Sequence, residues 1–157
     1  MVRIYVELSP LIALANEFDV FHTETANFVY EITHRGFELV SSREAVEMDL
    51  AIGVAKRPLR VLDALRIIDS IDAHGIKLLD AQLTPVLSLV EKYLREIHLN
   101  MGDLLHYASA TLLSADYLVS WNTDHFNPRF EEAINRVNRR RKLKTIRVGV
   151  PLSLIHI

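Results

Sequence analysis

Short runs of aliphatic and β-branched residues alternate along the chain with longer stretches whose apolar positions recur every three or four residues. Such alternation predicts strands and helices in turn, an α/β arrangement around a mainly parallel sheet. The first strand is read at Val2 to Val6, and Ser9-Pro10 then offers a helix cap followed by a proline at the first helical position. A second helix is predicted from about Asp19 to His34, where Phe21, Thr25, Phe28, Val29 and Ile32 share one face, and Arg35-Gly36 ends it. Phe37 to Val40 gives the second strand, and Ser41 or Ser42 caps a helix through Val54. Further helices are read from Leu59 to Ala73, from Thr84-Pro85 to Ile97, from Met101 or Gly102 to Leu113, and from Arg129 to Arg141. The remaining strands fall at Ile76 to Leu79, Tyr117 to Ser120 and Thr145 to Val148. No repeat or linker interrupts this order, so residues 1–157 are expected to form a single domain.

Composition narrows the classes. Half of the residues are hydrophobic, enough for a full core. No apolar run approaches the roughly 20 residues that cross a bilayer, and the start resembles no signal peptide, so a soluble cytoplasmic protein is expected. The chain has no cysteine, which removes disulfides and thiolate metal sites and leaves oxygen donors or histidines for any metal. The net charge of −2 conceals a segregation: Arg129 to Arg147 holds eight basic and two acidic residues, a net of +6, against −8 elsewhere. A basic end on an acidic body suits nucleic-acid binding near an acidic metal site, and a solvated helix face gives the same count.

In open parallel sheets the working crevice lies beyond the carboxyl ends of the strands. Glu7 follows the first strand, with Ser9 two residues on; Glu44, Glu47 and Asp49 follow the second; Asp103 opens the helix before the fourth; Asn122, Asp124 and His125 come after it. Clustered carboxylates repel one another and persist when a cation compensates them, and oxygen donors suit Mg²⁺ or Mn²⁺. Taken singly, each acid has an ordinary use at a helix start, in a turn or on the surface. No Gly-x-Gly-x-x-Gly follows a strand, which excludes a dinucleotide-binding reading, and Glu7-Leu8-Ser9 lacks the Asp-x-Asp of small Rossmann-like phosphatases.

The segments Ile4 to Leu14, Val40-Ser41 with Glu47, Gly102 to Ala110, and Ala115 to Phe126 with its Trp121-Asn122 resemble, in order, the motifs of PIN domains. The tail from Ile134 to Pro151 is similar to the ending of that family. The resemblance implies a Rossmann-like three-layer sandwich with a central sheet of four to five mainly parallel strands. It further implies a Mg²⁺- or Mn²⁺-dependent endoribonuclease, often a VapC-type toxin held by a small antitoxin and assembled as a homodimer. By position, Glu7, Glu47, Asp103 and either Asn122 or Asp124 would hold the metal, with Glu7, Glu47, Asp103 and Asp124 as the catalytic acids. Ser9, Ser120 and His106 would orient these ligands. Arg139, Arg140 and Arg141 would bind the RNA backbone.

Two departures from the pattern open an alternative. Glu7 stands where the family has Asp, and Asn122 supplies a neutral oxygen. A PIN-fold module that binds RNA or a protein with little or no cleavage is therefore the second reading. Trp121 reads as core, with base stacking as the other assignment, and His106 reads equally as a packed histidine.

Overall fold

The computed structural model describes residues 1–56 and 58–157. Five strands, β1 (Arg3–Val6), β2 (Glu38–Ser42), β3 (Lys77–Leu79), β4 (Tyr117–Val119) and β5 (Arg147–Gly149), form one sheet in the order β3-β2-β1-β4-β5. Every pairing is parallel; Tyr5 of β1 stands opposite Val40 of β2 on one side and Leu118 of β4 on the other. Eight helices connect and cover the strands: α1 (Leu8–Ala15), α2 (His22–His34), α3 (Arg43–Ala55), α4 (Val61–Ala73), α5 (Leu83–Leu94), α6 (Met101–Leu112), α7 (Pro128–Arg140) and α8 (Pro151–Leu154), counted among the described residues.

Strand alternation divides the core into two layers. Tyr5, Val40 and Leu118 point to one face, where they meet Val86 and Tyr93 of α5, Leu104 and Tyr107 of α6, and Ile134 of α7. Ile4, Val6, Leu39 and Val119 point to the other, against Leu11 of α1, Phe28 and Ile32 of α2, Ile67 and Ile71 of α4, and Leu154 of α8. The result is the three-layer α/β sandwich, with five strands and no antiparallel member. No helix is long and apolar enough to cross a membrane, among the described residues.

Three local readings are corrected. Glu7, rather than Ser9, caps α1: its carboxylate accepts from the Ser9 amide, which makes Ser9 part of the first helical turn. Helix α2 begins at His22, because Asn16 and Asp19 accept from the Phe18 and Phe21 amides and hold the preceding residues in turns. Helix α5 begins at Leu83 after Gln82, whose φ of 69° turns the chain, so Thr84 lies inside the helix. Helix α8 was absent from the sequence reading, a single turn too short to show a period.

The chain runs β1, β2, β3 toward one edge and then returns past β1 to place β4 and β5 on the other side. The reversal of strand order therefore lies between β1 and β4, where a parallel sheet opens a crevice at its carboxyl edge. Residues following β1 and β4 meet there, and the amide of Glu7 bonds to the carbonyl of Val119 at 3.1 Å.

Candidate functional site

Glu7 leaves β1 into this crevice and is only 5% exposed. Its Oε2 accepts three hydrogen bonds: from the Ser9 amide (2.8 Å), the Ser9 hydroxyl (2.6 Å) and the Ser120 hydroxyl (2.9 Å). The two serines approach each other at 3.2 Å, and they accept in turn from the amides of Trp121 and Asn122, each at 3.0 Å. A buried carboxylate needs such donors to remain charged. Oε1 has no partner among the described residues.

Asp103 arrives from the opposite side on the first turn of α6, where Asn100 caps the helix by accepting from the Asp103 amide at 2.9 Å. The Asn100 amide donates back to Oδ2 at 2.7 Å, and His125 Nδ1 lies 2.6 Å from the same oxygen. Burial raises the Asp103 pKa, and the charges of Glu7 and Asp49 push it further, against the pull of His125 and His106. These three carboxylates therefore feel one another. Oδ1 of Asp103 takes no partner among the described residues.

Asp49 supplies the third acid, from α3. Its Oδ2 lies 2.6 Å from His106 Nε2, while His106 Nδ1 meets the Tyr5 hydroxyl at 2.8 Å. His106 is fully buried, and burial alone would lower its pKa; the bond to Asp49 and the charges of Glu7, Asp49 and Asp103 outweigh that and raise it. The charged imidazole can donate at both ends, to Tyr5 and to Asp49. Asp49 Oδ1 presses on Gly102, where an added Cβ would collide with it. Any side chain at Gly102 would force the Asp49 carboxylate to move.

Each acid thus has one oxygen fixed by protein donors and one without a partner among the described residues. No arginine or lysine among these residues pairs with any of the three. Among the described residues no group of three or more histidine or acidic side chains is placed to hold a metal ion. The donors fit Mg²⁺ or Mn²⁺ in kind: oxygen-rich, mutually repelling, and held from behind by Ser9, Ser120, Asn100 and His106.

Ser9 and Ser120 bond to Glu7, and His106 lies one turn after Asp103 on α6 and bonds to Asp49. Glu47 does not join them. That side chain is 54% exposed on the outer face of α3 and pairs with Arg43 at 3.3 Å, because the inward stripe of α3 is Ala45, Val46, Asp49 and Leu50. Of the two alternatives after β4, Asn122 lies beside the cluster, its amide 3.2 Å from His125 Nδ1. Asp124 is exposed in a turn whose carbonyl accepts from Asn127, and its carboxylate contacts neither Glu7 nor Asp103. His125, given no role from the sequence, is the residue of this turn that meets Asp103.

Arg139, Arg140 and Arg141 stand at the far end of α7. Lys144, whose carbonyl accepts from Asn138, reaches Asp116 at 2.7 Å just before β4 begins, so this end of α7 flanks the amino edge of the sheet. Arg139 pairs with Glu132 and Arg140 with Glu96. Arg140 and Arg141 line a cleft of about 560 Å³ with Lys92, Arg95, Glu96 and Val137.

No protein-family model matches this chain, and no curated protein matches it. Among solved structures it is similar to VapBC2 from Rickettsia felis, solved bound to a DNA fragment from their promoter. That match has a TM-score of 0.62 and 12% identity, over 95% of this chain and 98% of that one. It is also similar to VapC20 of Mycobacterium tuberculosis, a Sarcin-Ricin loop cleaving toxin, with a TM-score of 0.54 and 12% identity over 78% of this chain and 92% of that one. At such identity the likeness is one of fold, and the chain has the PIN-like fold of VapC proteins.

Proposed function

We propose that this chain is a divalent-metal-dependent endoribonuclease, a single PIN-type domain that hydrolyses RNA phosphodiester bonds in the cytoplasm as the toxin of a toxin–antitoxin pair. One observation carries the reading: Asp49 of α3 and Tyr5 of β1 both bond to His106 of α6, which brings Asp49 into the neighbourhood of Asp103, three residues before His106, and of Glu7, two residues after Tyr5. The fold shared with VapBC2 and with VapC20, a Sarcin-Ricin loop cleaving toxin, supports it.

Glu7, Asp49 and Asp103 would hold Mg²⁺ or Mn²⁺, with Asn122 as a neutral oxygen donor. When bound, the ion supplies Lewis-acid polarisation of the scissile phosphate and a more acidic water. The chain's own residues do the positioning. Ser9 and Ser120 fix the rotamer of Glu7, Tyr5 and His106 fix Asp49, and Asn100 and His125 fix Asp103. Asp49 thereby takes the place first given to Glu47. A small antitoxin and a second copy of the chain are the proposed protein partners. Lys92 and Arg141 would touch the backbone of a long RNA away from the point of cleavage, while the neighbouring Arg139 and Arg140 are already paired with Glu132 and Glu96.

Mn²⁺-dependent cleavage of a structured RNA tests this. Asp103→Ala and Asp49→Asn are expected to lose at least about 100-fold, the upper end of what loss of an orienting partner costs. Glu47→Gln is expected to cleave as the parent does. Equal cleavage by the parent and Asp103→Ala would remove the proposal. The alternative, an RNA-binding module that scarcely cleaves, draws on Asn122 rather than Asp124 lying beside Asp103, which leaves the site one charge poorer. Tight binding without cleavage in both Mg²⁺ and Mn²⁺ would establish it.

A further inference from the structure

Beside the carboxylates stands an aromatic pair with no part in holding them. Phe21, just before α2, and Trp121, just after β4, lie face to face with ring centroids 4.1 Å apart and planes 8° from parallel. Thr25 fixes both: its hydroxyl donates to the Phe21 carbonyl at 2.6 Å and accepts from Trp121 Nε1 at 2.8 Å. Thr25 is itself fully buried, so the pair is anchored from beneath. Phe21 nevertheless keeps 39% of its surface in solvent, and the adjoining Phe18 and Val20 are 89% and 80% exposed. Apolar side chains so open and so close together in the fold ask for an occupant.

The main chain ties this pair to the acids. The Trp121 amide donates to the Ser9 hydroxyl, and that hydroxyl donates to Glu7. From indole backbone to carboxylate there are only two hydrogen bonds. We propose that the Phe21–Trp121 pair is a stacking platform for one unpaired nucleobase of RNA, the base next to the phosphate held at the acids. The proposal deepens the nuclease reading above and rests on it.

Three features favour a base over a protein side. Two flat rings already locked in parallel offer stacking at little entropic cost, and every base has a π-face to lay on them. Glu17 and Asp19 lie in the turns that lead to Phe21, a negative charge that repels phosphate and suits the neutral heterocycle of a nucleotide. The platform is also tied to Glu7 through the Trp121 amide and the Ser9 hydroxyl, a link that a docking surface does not need.

Trp121 is the sole tryptophan, so its emission reports the platform directly. The test titrates the full chain, in EDTA, with a short single-stranded RNA and with the same sequence fully paired. The single strand is expected to quench Trp121, and the duplex to do so far more weakly. Phe21→Ala is expected to weaken single-strand affinity roughly 10-fold or more, as loss of base–aromatic stacking does. Phe21→Tyr, which keeps a ring, is expected to bind as the parent does, and so separates stacking from folding damage. Absence of quenching, equal binding of the duplex, or unchanged affinity in Phe21→Ala overturns the platform. A Phe21→Ala variant that binds RNA normally but changes sedimentation assigns the rings to a protein contact instead. Because no cleavage is measured, a failure of the nuclease reading shows separately, as parental activity in Asp103→Ala.

Discussion

Single residues carry the sharpest consequences. Glu7 departs from the Asp of the PIN pattern, and from sequence alone the extra methylene reads as a defect. The structure gives it a use, since Oε2 reaches three donors on Ser9 and Ser120 that are spaced for the longer side chain. Retracting the carboxylate by roughly 1 Å in Glu7→Asp is therefore expected to lower Mn²⁺-dependent cleavage by about 10- to 100-fold rather than raise it. A gain measured in the same assay would mean that the natural site is detuned. Asp103 yields a prediction about stability. Burial and its acidic neighbours raise its pKa, so its contribution to the fold is fully present below the unfolded pKa and is lost as pH rises through the folded value. At about pH 7, without divalent ions, the charged group opposes folding. Asp103→Asn is accordingly expected to melt higher than the parent in EDTA near neutral pH, with the difference shrinking toward about pH 4. A melting curve at or below the parent's under both conditions would show that Glu7 and Asp49 do not press on Asp103. Glu7, Ser9 and Ser120 stand out in the sequence because they follow strands, Asp103 because it opens a helix, and His106 because it lies one turn after Asp103. His125 was hidden by Asp124, its acidic neighbour in the same turn, which the chain points outward.

At the scale of elements, the order of strands and helices was legible as far as β5, because the apolar period changes where one gives way to the next; the single turn of α8 shows no period. Faces were harder. Spacing from β2 favoured Glu47 in α3, but Ala45, Val46 and Leu50 define the inward stripe, and on a helix of 3.6 residues per turn Asp49 joins it while Glu47 does not. That signal was present in the sequence and went unused. The junction of α7 with β5 was legible only as a family-like tail. Its physical basis is Asn135, buried on α7, whose amide donates to the Ile146 carbonyl at 2.7 Å and accepts from the Ile146 amide at 2.9 Å. Side-chain amides that replace a strand partner leave no period to read. Asn135→Ala leaves both backbone groups without this partner in the core, and is expected to cost roughly 2–4 kcal/mol in urea unfolding. A loss under about 0.5 kcal/mol, the usual range of surface changes, would show that water replaces the amide.

For the whole molecule, the charge segregation seen in the sequence is real in space but differs in meaning from the first expectation. Glu7, which ends β1, lies at the carboxyl edge of the sheet, while α7, about 20 Å long, carries its arginines to the other edge. A basic run in sequence shows neither where its helix points nor which charges are already matched; here Glu132 and Glu96 take Arg139 and Arg140. Arg141 and Lys92 share the remaining cleft with Arg95, which pairs with Glu91. An RNA engaged at the acids must therefore run the length of α7 before it meets these cations. Lys92→Glu with Arg141→Glu is expected to weaken binding of a long RNA and to flatten its log K against log salt slope by about 1 to 2. Cleavage of an oligonucleotide too short to span α7 is expected to stay at the parental rate. Alanine at Arg139 and Arg140, already neutralised by glutamates, is expected to change the slope little. Filter binding over a series of salt concentrations distinguishes these outcomes: equal slopes for the parent and the double variant would mean that RNA leaves the acids by another route.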